Sequence, residues 1–368
     1  MKITDQIIKD FDIGFWKFKK ELELFHDFTP LNQDEEKLHF QHLFHQNIRY
    51  NPQFIYKKIN HPGYASTLET FIRKLKAFTD WPLQPVYIEL CTRTSQHLHF
   101  FHRRDQADFL PYLSGLYAEP TDAELTSAQQ IIKNRTNPVN NNIANTIKAQ
   151  DAALAFSDAL KQRFYNDWTV EITKMVADVA VNSLQKKLKI NENAFFSEER
   201  IRQLIIHEID THILRSHNGA MQSYKVFQYG FPDYLETEEG LAIYNEHLNG
   251  CLSDKNLYRY ALRLIMAKKA LTSDFYELFT ECFELNFNDF DKAWKTCLRL
   301  KRGLSDTSLH AAYVKDLVYY RGFLKMQQQP KEIIHRLYIG KIGLENLPMI
   351  TNGTLTLTSP NLPAFYNE

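Results

Sequence analysis

The chain has 368 residues, of which 44% are hydrophobic, and this length allows one large apolar core or two smaller ones. Its 44 Lys and Arg residues balance its 44 Asp and Glu residues. This neutral balance argues against a general attraction to nucleic acid or to an anionic membrane, so we expect neither among its partners.

The cysteine pattern indicates the compartment. The four cysteines, none of which forms a Cys-x-x-Cys pair, are Cys91, Cys251, Cys282 and Cys297. Scattered thiols in a chain of this length are typical of a reduced, intracellular protein. The N-terminal residues mix charged with apolar side chains, unlike a secretory signal, and no apolar run is long enough to span a bilayer. We therefore expect a soluble, cytoplasmic protein.

Helical spacing of apolar residues dominates the chain, and glycine and proline are few, so we expect a mainly helical protein with a small sheet. The predicted helices cover residues 4–25, 34–46, 65–78, 122–133, 150–163, 170–187, 198–215, 238–249, 254–271, 273–285, 288–299, 311–327 and 330–339. Strands are predicted at 86–90 and 354–358, where β-favouring residues cluster.

A polar stretch, residues 134–145 (NRTNPVNNNIAN), interrupts the helical pattern. It is rich in asparagine, contains Pro138 and lacks apolar periodicity, which predicts a loop. Two interpretations are open: an ordinary surface loop, or a loop that borders a substrate cleft.

The predicted helix at 198–215 carries the most informative residues. Ser197 followed by two glutamates suits a helix start, where acids face the positive end of the helix dipole. The buried stripe, with one isoleucine every four residues, is expected to consist of Ile201, Ile205, Ile209 and Ile213.

The same helix contains His207-Glu208-x-x-x-His212. In the zinc-peptidase pattern His-Glu-x-x-His the two histidines lie one turn apart, whereas here Thr211 occupies that position. On a regular α-helix a spacing of five leaves the side chains roughly 140° apart, which is poor for chelation. We therefore predict a π-bulge or unwound turn between His207 and His212. The alternative is a surface helix whose two histidines are unrelated.

Catalytic zinc needs a third protein ligand and an open position for water. The best candidate is Glu239, near the start of a second helix and next to Gly240, whose small size would allow that helix to approach closely. Glu238 is the competing choice.

At these residues the chain resembles the microtubule-associated tyrosine carboxypeptidases and their bacterial relatives with a QEGLA motif. The matching segments are HEIDTHILRSHNG (207–219), EEGLA (238–242), Trp168-Thr169-Val170 and CLRLKRGLSDTSLHAAYVKDLVYYRG (297–322). Weaker matches are LNQDEEKLHF (31–40), NPQFIY (51–56) and LYAEPTDAELTSA (116–128). The similarity is strong over about 165–325 and patchy from about residue 20.

The resemblance implies a zinc metallocarboxypeptidase with one Zn²⁺ ion. It implies that His207, His212 and Glu239 are the zinc ligands and that Glu208 is the catalytic acid and base. Two positions depart from the pattern: Glu238 stands where bacterial relatives usually have Gln, and Asp210 stands where eukaryotic members commonly have Gly.

A carboxypeptidase must also bind a free C-terminal carboxylate, and the planar guanidinium of arginine does this well. Arg302 is the first candidate because it lies in the matched downstream segment, followed by Lys301, Arg215 and Lys315. The tetrahedral intermediate needs a further hydrogen-bond donor, for which the candidates are Tyr319, Tyr320 and His217.

We accordingly expect an α+β fold, mainly α-helical, with a zincin-like metallopeptidase core and a small sheet. The predicted organisation is a helical N-terminal region (1–133) packed on the core, the Asn-rich loop (134–149), a catalytic domain (150–340) and a C-terminal extension (341–368). The expected substrate is a peptide or protein C-terminal tail. The alternatives are another zinc-dependent amide hydrolase, such as an aminopeptidase or amidase, and a non-catalytic zinc-binding regulatory protein.

Overall fold

The computed structural model describes residues 5–22, 29–57, 63–102, 110, 113, 117–134, 146–175 and 177–366. These residues form a mainly helical fold with a small amount of sheet, which confirms the mainly α-helical α+β part of the expected fold. Within these ranges no helix combines the length and the apolar character needed to cross a membrane.

The N-terminal part is helical. Its helices are α1 (Asp5–Glu21), α2 (Gln33–His45), α3 (Tyr64–Leu75), α4 (Gln84–His102) and α5 (Asp122–Lys133). The strand predicted at 86–90 was wrong, because these residues lie in α4. Val86, Tyr87, Leu90 and Cys91 are all buried, and this spacing places them on one helical face that packs into the core.

Two small sheets follow the first helices, one of two strands and one of three. Their strands are β1 (Ile147–Lys148), β2 (Thr169–Thr173), β3 (Val179–Asn182), β4 (Lys187–Asn191) and β5 (Phe195–Phe196), and helix α6 (Ala149–Gln162) lies between β1 and β2 in the chain. β4 is central, parallel to β2 and antiparallel to β3, while β1 pairs with β5.

The helix predicted at 170–187 was therefore wrong. Residues 169–173 and 187–191 pair in register, with Val170 opposite Leu188 and Ile172 opposite Ile190. Four of the five residues in 169–173 are β-branched, and such residues fit a pleated surface better than a helix. Residues 135–145 of the predicted Asn-rich loop lie outside the described residues, and its last positions instead form β1 and the start of α6.

The remaining chain is helical. Its elements are α7 (Glu198–Leu204), a π-helix (Ile205–Ile213), α8 (Leu214–Ala220), α9 (Val226–Tyr229), α10 (Tyr234–Leu248), α11 (Asp254–Ala270), α12 (Phe275–Leu285), α13 (Phe290–Lys301), α14 (Leu317–Gln327), α15 (Lys331–Arg336) and α16 (Leu347–Thr351). Short 3-10 turns lie at Leu337–Ile339, Leu344–Asn346 and Ala364–Tyr366.

The strand predicted at 354–358 was also wrong, because this segment lies against a side chain rather than a strand. The backbone N–H of Thr358 donates to Oε1 of Gln222, and Nε2 of Gln222 donates to the Thr358 carbonyl, both at 2.9 Å. One glutamine therefore satisfies the backbone groups that a neighbouring strand would otherwise bind.

Two apolar clusters hold these elements together. The first joins the N-terminal helices to the sheet and to the π-helix, and it includes Phe15, Phe156, Leu188, Ile209 and Ile213. The second lies among α2 and the helices α11 to α14, and it includes Phe40, Phe275, Phe279, Trp294 and Leu317. The helices that carry the candidate site residues lie between and within these clusters.

Helices α10 and α14 cross at two glycines. A Cβ added to Gly240 would lie 2.2 Å from the carbonyl carbon of Gly322, and one added to Gly322 would lie 2.1 Å from the Glu236 carbonyl oxygen. The close helix approach predicted from Gly240 is thus confirmed. It brings α14, and the residues just before it, against the helix that carries Glu239.

Candidate metal centre

The predicted helix distortion is confirmed. Ser197 caps α7 by accepting a hydrogen bond from the Arg200 backbone N–H at 3.2 Å, and the chain then forms a nine-residue π-helix from Ile205 to Ile213. Because a π-helix repeats its hydrogen bonds from residue i to i+5, a spacing of five returns to the same face. His207 and His212, five residues apart, therefore point to one side.

Three potential ligand atoms converge on that side. Nε2 of His207 lies 3.5 Å from Oε2 of Glu239, and Nε2 of His212 lies 3.7 Å from the same oxygen. One ligand atom from each of the three residues falls within 4.8 Å of the others. Tetrahedral ligands at about 2.0–2.1 Å from one ion stand roughly 3.3 Å apart, so this spacing fits a single metal ion.

The opposite ring nitrogens of both histidines are held by carboxylates. Nδ1 of His207 donates to Glu246 at 2.6 Å, and Nδ1 of His212 donates to Glu238 at 2.9 Å. With Nδ1 bound in this way, the Nε2 atom of each ring faces Glu239. Glu238, the competing choice for third ligand, is therefore hydrogen-bonded to Nδ1 of His212 and is not one of the three residues whose ligand atoms converge.

Glu208 is buried beside these three groups, with 7% of its surface exposed. Burial raises the pKa of Glu208, and the positive charges of His207 and His212 act in the opposite direction. A carboxylate whose affinity for protons is raised in this way is suited to accept and return a proton.

Glu239 has the opposite character. Burial opposes its charge, but the hydrogen bond from His207 and the charges of both histidines outweigh burial and hold its pKa below the ordinary value. An acid that stays ionised in a buried site is suited to bind a cation.

A group of cationic side chains lies next to Glu239. Burial, followed by the charge of Arg302, lowers the pKa of Lys315, and the charge of Glu239 acts on it in the opposite sense. The charge of Glu239, followed by burial, raises the pKa of Tyr319. Of the predicted substrate-binding residues, Lys315 and Tyr319 therefore interact electrostatically with Glu239, and Arg302 interacts with Lys315.

Arg302 contacts an aromatic ring and a carboxylate. Its guanidinium carbon lies 4.9 Å from the centre of the Tyr313 ring, and one terminal nitrogen lies 4.0 Å from Asp316. Its Nε is buried and makes no hydrogen bond with the part of the chain that the structure describes. The donor capacity of this side chain is therefore incompletely used.

The residues that organise this group were missed by the sequence analysis. Asp316 binds Arg299 through two hydrogen bonds of 2.6 and 2.7 Å and lies 3.7 Å from Arg263. The ring of Tyr319 stacks on Tyr260 at 5.6 Å. Both Arg299 and Asp316 lie in segment 297–322, which resembles the family. That resemblance is the feature of the sequence that could have identified them.

Two predicted carboxylate-binding residues are fully engaged elsewhere. Nζ of Lys301, with 0% exposure, donates to four backbone carbonyls at 2.5 to 3.1 Å: Ala270, Ser273, Leu309 and Ala311. Arg215, also with 0% exposure, donates to the carbonyls of Leu337 and Ile342 and to Glu238. These contacts and the complete burial of both side chains argue against a role in substrate binding.

Two candidate donors for the oxyanion also lie in other surroundings. The Tyr320 hydroxyl bonds Ser127 at 2.9 Å within the second apolar cluster, and His217 packs on the ring of Tyr165 at 5.0 Å. Tyr319 is the member of the predicted set that lies beside Glu239.

The model of one protein family, described as "Microtubule-associated tyrosine carboxypeptidase", matches residues 41–362. Microtubule-associated tyrosine carboxypeptidase 1 of Rattus norvegicus is 34% identical over 174 residues, which is 45% of this chain and 36% of that protein. The Homo sapiens protein of the same name is 34% identical over 152 residues, 39% of this chain and 31% of that protein.

A third relative aligns over the whole chain. "Putative tyrosine carboxypeptidase MATCAP2" of Mus musculus is 24% identical over 380 residues, covering 100% of this chain and 63% of that protein. The chain thus spans about a third of the first two relatives and less than two thirds of the third. Because the family model covers most of the chain, this protein belongs to the microtubule-associated tyrosine carboxypeptidase family.

Proposed function

We propose that this protein is a zinc-dependent carboxypeptidase that hydrolyses the last peptide bond of a peptide or protein tail. The observation that carries this proposal is the convergence of His207, His212 and Glu239 on one point, with Glu208 buried beside them. The names of the relatives also describe carboxypeptidases. We further propose that the core formed by the π-helix, α10 and the small sheet is zincin-like.

Zinc suits this donor set. Two imidazole nitrogens and one carboxylate oxygen are a common ligand set of catalytic zinc, which keeps a fourth position open. When bound there, zinc would polarise the scissile carbonyl and lower the pKa of a water molecule toward about 7. His207 and His212 would bind through Nε2, because their Nδ1 atoms donate to Glu246 and Glu238.

Glu208 is the proposed general base. Its carboxylate accepts a proton as water attacks the carbonyl carbon and then donates that proton to the leaving amine. Its burial raises its pKa, which favours both halves of this transfer near neutral pH. A site that only held zinc for structural reasons would have no need of this carboxylate.

The cationic group supplies the specificity for a free C-terminus. The charges of Glu239 and Arg302 both act on Lys315, and the buried Nε of Arg302 makes no hydrogen bond with the described residues. We propose that Arg302 and Lys315 bind the terminal carboxylate of the substrate. The hydroxyl of Tyr319, whose pKa is raised and which therefore keeps its proton, would donate to the developing oxyanion.

A pair of matched peptides tests the proposal against its alternatives. The zinc-loaded protein should release the last residue of a peptide library with free C-termini and should leave the same peptides untouched when the terminus is an amide. Equal cleavage of both sets would indicate an amidase or aminopeptidase. No cleavage by a protein that binds zinc would indicate a regulatory protein instead.

A further inference from the structure

The carboxylate of Glu238, which is hydrogen-bonded to Nδ1 of His212, has further partners. Glu238 has 2% of its surface exposed, and its Oε1 accepts from His212 Nδ1 at 2.9 Å and from Lys341 Nζ at 2.8 Å. Its Oε2 accepts from Arg215. Both oxygens of the carboxylate are therefore occupied, and two buried cations face one buried anion.

The other supporting carboxylate has different partners. Glu246, behind His207, accepts a hydrogen bond from the neutral amide of Gln203, and Gln203 in turn accepts from Arg200. The two histidines are thus supported differently. One carboxylate is bound by a neutral amide, and the other lies directly between two cations.

Lys341 reaches Glu238 from outside the predicted catalytic domain, which was expected to end at residue 340. Its backbone N–H donates to the Phe227 carbonyl at 2.6 Å, and its carbonyl accepts from the Phe231 N–H at 2.9 Å. The preceding Gly340 makes this approach feasible, since a Cβ there would lie 2.6 Å from the Phe227 carbonyl oxygen. The ammonium group of Lys341 is therefore held in place by backbone contacts on both sides of its Cα.

Arg215 forms hydrogen bonds with the segment that contains Lys341. Its Nε donates to the Leu337 carbonyl at 3.0 Å, and its Nη2 donates to the Ile342 carbonyl at 2.7 Å. One guanidinium therefore binds the chain on both sides of Lys341 while it also binds Glu238. Segment 337–342 and the carboxylate behind His212 form one connected, buried network.

We propose that Lys341 is a positioning residue of the metal site: with Arg215 it balances the charge of Glu238 and fixes that carboxylate against Nδ1 of His212. This inference rests on the proposed zinc function. Its consequence is that the charge of Lys341, in segment 337–342, influences metal affinity, although no side chain of that segment is a proposed ligand. Removing Glu238 leaves two buried cations near a metal ligand, and removing Lys341 at the same time restores the charge balance.

Zinc affinity, measured by competition with a chromophoric chelator on the full chain, tests the proposal. Glu238→Gln should weaken zinc binding by about 10- to 100-fold, the usual range for losing such a supporting partner. The double variant Glu238→Gln/Lys341→Met should recover much of that loss. Glu124→Gln is the matched control, because Glu124 binds Arg321 but neither histidine, and it should leave zinc affinity unchanged.

Should Glu238→Gln fail to fold, Glu238→Asp replaces it, since it keeps the negative charge while drawing the carboxylate away from Nδ1; it too should weaken zinc binding. Wild-type affinity in the single variant that folds contradicts the inference. So does a double variant as weak as Glu238→Gln alone. If the wild-type protein binds no zinc, the proposed function itself fails, and this inference fails with it.

Discussion

Nδ1 of His207 lies 2.6 Å from Oε1 of Glu246, and Glu246 stands seven residues after Glu239 on helix α10. Seven residues are about two helical turns, so both acids occupy one face of that helix. The same face therefore offers a metal ligand and, two turns on, the carboxylate that orients a ligand from the π-helix. The i, i+7 spacing of these two glutamates was visible in the sequence but was not recognised there.

Replacing Glu246 with Gln should weaken zinc binding by about 10- to 100-fold, because the amide still accepts from His207 but no longer makes the imidazole more basic. Chelator competition measures the affinity. Glu171→Gln on β2, which removes a surface partner of Lys187, serves as the control and should bind zinc normally. Unchanged affinity in Glu246→Gln would mean that this carboxylate does not support the metal site.

Arg302→Gln should raise KM for peptides with a free C-terminus by about tenfold or more, since a charge-assisted hydrogen bond to a carboxylate contributes about 1.5–3 kcal/mol. Steady-state kinetics on one peptide series measure this. The exposed Arg336 on α15 offers a control, and its replacement by Gln should leave KM unchanged. Equal KM values for wild type and Arg302→Gln would show that other residues bind the terminal carboxylate of the substrate.

Gly240→Ala should destabilise the protein by about 1–3 kcal/mol or more, because its Cβ would lie 2.2 Å from the Gly322 carbonyl carbon and force α10 and α14 apart. Gly14→Ala in α1 is the opposite case. Apart from its chain neighbours and its own helix backbone, no atom of the described residues lies within 4 Å of its added Cβ, and alanine favours the helix, so about 0.5–1 kcal/mol of stabilisation is expected. Denaturant unfolding gives the free energy of unfolding of both variants. A Gly240→Ala variant as stable as the wild type would disprove the close contact between the two helices.

Asp12 makes stability depend on pH. Burial raises the pKa of this carboxyl from 3.8 to about 6 in the folded protein, against hydrogen bonds from Tyr87 and the Lys225 backbone that act in the opposite direction. The folded state therefore binds the proton more tightly than the unfolded state. The stability from this group is fully present below about pH 4 and is lost as the pH rises through about 6.

Between pH 5 and pH 7.5 the wild-type protein should therefore lose about 1.4 kcal/mol from Asp12 alone, since one pKa unit corresponds to about 1.4 kcal/mol. Asp12→Asn should lack this component. Urea unfolding of both proteins at the two pH values gives the difference directly. Parallel pH dependence in wild type and variant would show that Asp12 is ionised throughout this range.

The local pattern of the sequence was sufficient to predict the convergent histidines. A five-residue spacing is poor for chelation on a regular helix, so a π-bulge or unwound turn was predicted for a metal site at His207 and His212, and Gly240 indicated a close helix approach. The errors at 86–90 and 170–187 arose because β-branched and aromatic residues serve buried helix faces as well as strands, and tertiary packing decides between them.

The surroundings of the site could not be read in the same way. Lys301 and Lys341 are both buried lysines, yet one donates to four backbone carbonyls and the other to a buried glutamate. Those fates depend on contacts between distant segments, such as the return of residues 337–342 to Arg215. The spacing of residues in one sequence does not show which distant segments come into contact.

The zinc content and the turnover of Glu208→Gln, measured on one preparation, test the central claim most directly. The proposed ligands are untouched in this variant, so it should retain one zinc ion per chain with near wild-type affinity. It should lose almost all cleavage of free-acid peptides, since general base catalysis contributes about 10²- to 10⁴-fold. A variant that keeps its zinc and cleaves as fast as the wild type would contradict the proposed mechanism.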